Sequence, residues 1–101
     1  MVLITYNENS LRKHKITRYQ VQEAMTDPLR AVFDLPEKSD WYLYELADEY
    51  NYHQMIVGHT YAGVLLEIGL EMIADNALHF FHAQKISPTY YKLYEHWLKN
   101  V

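Results

Sequence analysis

From Val64 to Ile86 the sequence alternates as a β-hairpin does, and this constrains the chain more than any other feature. In Val64-Leu65-Leu66-Glu67-Ile68-Gly69-Leu70-Glu71-Met72, the side chains of Leu66, Ile68, Leu70 and Met72 fall on one side of an extended strand. Glu67, Gly69 and Glu71 fall on the other. Ala74-Asp75-Asn76-Ala77 has the composition of a tight turn. Leu78-His79-Phe80-Phe81-His82-Ala83-Gln84-Lys85-Ile86 is a second β-prone run. A hairpin alone is marginal in water, so other strands have to complete the sheet. The candidates are Val2 to Tyr6, Ala31-Val32-Phe33 closed by Pro36, Trp41 to Ala47, and His53 to Thr60, with a turn at Tyr61-Ala62-Gly63. Glu67 and Glu71 are expected on the solvent face of the sheet rather than as a catalytic pair.

Helix signals flank this β-rich centre. Asn7-Glu8-Asn9-Ser10 can cap a short helical turn over Leu11 to His14. Thr17 and Gln20 have the spacing of a capping box, and the helix that follows has to end at Asp27-Pro28, because a residue before proline avoids the helical region. Ser87-Pro88 opens a last helix with serine as N-cap and proline in its first turn. Tyr90, Leu93, Tyr94, Trp97 and Val101 make its apolar stripe. The order predicts an α+β fold with a mainly antiparallel sheet, short N-terminal helices and a C-terminal helix packed on one face, as a single domain over 1–101.

Composition narrows the classes. The 101 residues include no cysteine, which excludes disulfides and cysteine-based zinc sites. No apolar run approaches the roughly 20 residues of a membrane span, and the first residues lack the basic region of a secretory signal. A cytoplasmic protein without membrane contact is the expectation. The net charge of −4 divides unevenly: residues 1–30 sum to +2, 31–75 to −8 and 76–101 to +2. A nucleic-acid site would have to draw on the two ends.

Three sets of residues are candidates for chemistry. The six histidines suggest metal binding, but His79 and His82 are three apart in a strand and should face opposite sides. His53 and His59 alone do not make a zinc site, so no metal is expected. The ten tyrosines suit the wet edge of a thin core and a protein interface. The basic residues near the ends form the third set.

Several local motifs resemble those of the BrnT toxins, within the RelE-like group of bacterial ribonuclease toxins. Asn9-Ser10-Leu11-Arg12-Lys13-His14-Lys15-Ile16 is similar to the family's opening motif, and the following helix ends in Asp-Pro as the family's does. Ile56-Val57-Gly58 matches the start of its central hairpin, and Phe80 to Ser87 its last strand. Tyr94 stands near a tyrosine of the family's final helix. Gln84 replaces an arginine, Lys15 replaces a glycine, and the final helix is less basic than in the family. The resemblance implies a metal-independent endoribonuclease of a type II toxin–antitoxin pair, with a cognate antitoxin as partner, RNA as substrate and no cofactor. It places catalysis on His82, Lys85, Tyr91 and Lys92, and RNA contacts on Arg12, Lys13, His14 and Lys15. The acidic balance keeps an alternative open: a catalytically silent domain that acts through protein contacts or homodimerisation.

Overall fold

The computed structural model describes residues 2–34 and 52–101. The strand expected over Trp41 to Ala47 lies outside them. In chain order the described elements are β1 (Leu3–Tyr6), α1 (Glu8–His14), α2 (Arg18–Met25), β2 (Ala31–Asp34), β3 (Tyr52–His59), β4 (Leu65–Ala74), β5 (Ala77–Lys85) and α3 (Pro88–Lys99). The strands form one sheet in the order β1-β5-β4-β3-β2. β1 runs parallel to β5, and the remaining pairs are antiparallel. The fold is α+β, and no described helix is long and apolar enough to cross a membrane.

The local signals act as expected at most boundaries. α1 starts earlier than expected, at Glu8 rather than Leu11, because Asn7 itself is the N-cap and accepts the Ser10 amide at 3.2 Å. Both halves of the capping box between Thr17 and Gln20 are made. Gly63, at φ +84, lets Thr60 and Val64 close the turn between β3 and β4. Lys15 ends α1 in the left-handed region at φ 56, and the Ile16 amide returns to the Leu11 carbonyl at 2.9 Å.

Residues opposed across antiparallel strands share a face. Ile56, Ile68 and Ala83 therefore form one row, and Val57, Glu67 and Gln84 the next. α1 and α2 cover the first row through Leu11, Val21 and Ala24. Tyr94 of α3 covers the second, against Ala31 and Val57, with Phe33, Leu65, Tyr90 and Trp97 around it. The helices thus divide between the two faces of the sheet instead of forming one layer. The reason lies in β3, where Met55 and Val57 are apolar and buried on one side and Ile56 on the other, which leaves a second face to be covered. The apolar stripe of α3 narrows accordingly: Tyr90, Tyr94 and Trp97 pack, whereas Leu93 and Val101 are exposed.

Two irregularities set the positions of site residues. Gly69 pairs with His82 while Leu70 pairs with Phe80, so Phe81 is an extra residue in β5. Its ring lies over Gly69, where a Cβ would sit 2.5 Å from a ring carbon. This bulge overturns the expectation that His79 and His82 face opposite sides, since His79 opposes Glu71 and His82 opposes Gly69 on the same face. The second irregularity is the short reach of β1, which pairs with β5 only as far as Phe80.

Candidate active site

The end of α1 comes against β5 just beyond that last pair. Asn7 donates its amide to the Phe80 carbonyl at 2.9 Å and its side-chain nitrogen to the Phe81 carbonyl at 3.4 Å. Leu11 holds the inner side of α1 in the core. These contacts bring the last residues of α1 beside the last residues of β5. The rings of His14 and His82 meet edge to face, with centroids 5.7 Å apart. His14, Lys15, Gln84 and Lys85 line an open cleft of about 400 Å³.

Behind His82 lies a carboxylate. Nε2 of His82 is 3.1 Å from Oε2 of Glu67, and the Ser87 amide donates to Oε1 at 2.6 Å. The Glu67 side chain is 6% exposed and that of His82 26%. Glu67 is therefore not on a solvent face, contrary to the alternation in its strand, because the start of α3 covers it. Burial pushes its carboxyl pKa up, but the hydrogen bonds from His82 and Ser87 outweigh that and hold it below the ordinary glutamate value. Ser87 serves as N-cap residue without a side-chain capping bond, and its backbone amide donates to Glu67.

A second imidazole–carboxylate pair sits at the far end of β3. Asp27 Oδ2 is 2.7 Å from both the backbone nitrogen and Nδ1 of His59, and Oδ1 accepts the Leu29 amide at 2.9 Å. Burial raises the Asp27 pKa, but the His59 and Leu29 amides and the His59 ring lower it further, for a net depression. Glu23, one turn earlier in α2, accepts the Tyr61 amide at 2.8 Å. Both carboxylates tie the end of α2 to the β3–β4 turn. This pair reads as a structural clamp.

The sequence candidates separate in space. His14, Lys15 and Lys85 come together at the cleft, and His82 lies against His14 without lining it. Arg12 and Lys13 lie on the exposed last turn of α1, where Arg12 donates to Asn9 at 3.4 Å, and neither lines the cleft. Tyr91 and Lys92 are exposed on α3 and are not part of the lining either. Glu67 is the site residue that sequence reasoning missed. Its one local signal was an acid between two apolar residues of a strand centre. For metals, His79 is 2.8 Å from the Thr5 hydroxyl, and no three ligand-type side chains converge among the described residues.

Chemically, the cleft offers one imidazole and two lysines, with the His82 ring beside it, and no carboxylate is among its described lining residues. That neighbouring imidazole is held from the other side by the buried Glu67 carboxylate. Such a set can bind a phosphodiester, neutralise its oxygens and move protons on either side of it. No family model and no curated protein matches this chain.

Proposed function

We propose that this chain is a divergent BrnT- and RelE-like toxin, a metal-independent endoribonuclease that works at the cleft between α1 and β5. The observation that carries the reading is the convergence of His14, Lys15 and Lys85 on one cleft, with His82 against His14 and backed by Glu67. In the proposed reaction His82 takes the proton of a ribose 2′-hydroxyl. The 2′-oxygen bonds to the adjacent phosphorus as the bond to the 5′-oxygen breaks. Protonated His14 returns a proton to that leaving oxygen, and Lys15 and Lys85 stabilise the charge on the phosphoryl oxygens. Arg12 and Lys13, on the same turn of α1, extend the positive surface along an RNA strand. In a bacterial cytoplasm such an activity requires a partner antitoxin that covers the cleft.

The test is incubation of purified protein with short single-stranded RNA in the presence of a chelator. Cleavage is expected, with a loss on the order of 10²-fold or more for His82→Ala, as for removal of a general base. Lys85→Ala should lower the rate as well. RNA left intact across the neutral range overturns the reading. The net charge of −4 would then favour the second one, a silent domain acting through protein contacts. Sedimentation tests its homodimer form, where a 12 kDa species at high concentration counts against it.

A further inference from the structure

The position of Glu67 has a consequence for which atom of His82 does the work. A carboxylate is an acceptor without a proton of its own, so the hydrogen in the contact between Glu67 Oε2 and His82 Nε2 has to belong to the imidazole. The carboxylate cannot turn away, because its other oxygen accepts the Ser87 amide. Glu67 is the buried partner and His82 the half-open one. The imidazole is thus held by its inner nitrogen, and Nδ1 is its unprotonated atom when the ring is neutral. The His14 ring lies against it, 5.7 Å away by ring centroid.

We propose that Glu67 is a positioning residue: it fixes His82 in the Nε2–H tautomer and leaves Nδ1 as the base that serves the neighbouring cleft. This rests on the ribonuclease reading for the word base, but not for the tautomer. The carboxylate also favours the imidazolium formed when Nδ1 accepts a proton, because its negative charge lies directly behind the ring. Ser87, through its amide, is the second member of the device, and it couples the orientation of His82 to the seating of α3.

Glu67→Gln is the informative variant because it keeps the shape and reverses the hydrogen-bond polarity. The glutamine oxygen can still accept the Ser87 amide, but its NH2 group then donates to Nε2 of His82. Nε2 becomes the acceptor, the ring proton moves to Nδ1, and the base is lost from the cleft. Nitrogen-15 NMR of His82 at a pH where the ring is neutral reads the tautomer directly. The expected result is Nε2–H in the native protein and Nδ1–H in Glu67→Gln. With RNA as substrate, the same variant should lose kcat by roughly 10²- to 10⁴-fold with KM little changed, as expected for a wrong tautomer. The base limb of its pH–rate profile should be displaced, which a purely structural role would not produce.

A native His82 carrying its proton on Nδ1 overturns the proposal. So does a Glu67→Gln protein whose tautomer is unchanged. The native measurement needs no variant, so a failure of Glu67→Gln to fold does not protect the idea. If the tautomer flips as expected and RNA remains uncut by the native protein, the positioning role stands and the ribonuclease reading alone falls.

Discussion

Lys15 carries two demands at once. It ends α1 at φ 56, a conformation that costs a non-glycine residue roughly 1 kcal/mol, and it places an ammonium group on the cleft. Lys15→Gly should therefore stabilise the protein, by about 0.5–1 kcal/mol, measured by urea denaturation, and under the proposed ribonuclease reading it should also weaken RNA binding. A variant less stable than the native chain would show that the lysine side chain packs in a way that outweighs its backbone cost. Gly58 is the opposite case, a residue with no freedom to change. A Cβ there would lie 2.2 Å from the Ala24 carbonyl oxygen, so α2 sits directly on the strand backbone. Gly58→Ala should cost at least about 2 kcal/mol, since neither backbone can yield locally. Equal midpoints for the two proteins in denaturant would refute the close approach.

Sequence legibility follows the range of the forces involved. Caps and turns are local: Thr17 with Gln20, Asn7 with Ser10, and Asp75-Asn76 act within a few residues, and each could be read directly. Glu67 could not, because what covers it is the Ser87 amide, 20 positions away. Asp27 was legible as the stop of α2, but its hold on His59 spans 32 positions and has no local mark. The bulge at Phe81 hides in a run of His-Phe-Phe-His whose alternation is ambiguous, and it alone decides which face His79 takes. The His82, Lys85, His14 and Lys15 group was drawn from resemblance, and the end of the β1–β5 pairing at Tyr6 and Phe80 is what leaves room for α1 to bring them near one another.

Among the elements, α3 is attached differently from α1 and α2. Its contact with the sheet passes through three aromatic side chains on one line, Tyr90, Tyr94 and Trp97, with Tyr94 2% exposed at the centre. The Tyr94 ring stacks on Trp97 at 5.8 Å, and its hydroxyl donates to the Leu29 carbonyl at 3.0 Å. Burial, and then the charge of Asp27, push the Tyr94 pKa up, so the hydroxyl stays a donor through the neutral and mildly alkaline range. Tyr94→Phe should cost about 1 kcal/mol for the lost hydrogen bond. Tyr94→Ala should cost about 3–5 kcal/mol and expose α3 amides to hydrogen exchange before those of β4. Uniform exchange across α3 and β4 in Tyr94→Ala would show that the helix does not detach on its own.

For the molecule as a whole, two carboxylates among the described residues contribute to its response to acid. Asp27 and Glu67 both have folded-state pKa values below those of the free side chains, 3.8 and 4.5. The unfolded chain binds protons first as pH falls, so the stability these groups supply is complete at neutral pH. It is lost as pH drops below those ordinary values and through the lower folded ones. Thermal melts from pH 7 to pH 3 should show a falling Tm, and Asp27→Asn should flatten the slope at the acid end while lowering the neutral Tm. A native Tm that is level down to pH 3 would contradict the assignment.

The parallel pairing of β1 with β5 matters for the order in which the molecule is made. Leu3 lies beside Ala77, and Thr5 reaches His79 across 74 positions. During synthesis β1 and α1 emerge early and wait, with Leu3 and Ile4 unpaired, until β5 has left the ribosome. The cleft needs the end of α1 and the end of β5 together, so it is among the last features to form. A nascent chain whose β5 is not yet free carries every residue of its first helix and still has no cleft. Any activity is withheld from the machinery that translates it until the strand that completes the sheet is free to pair.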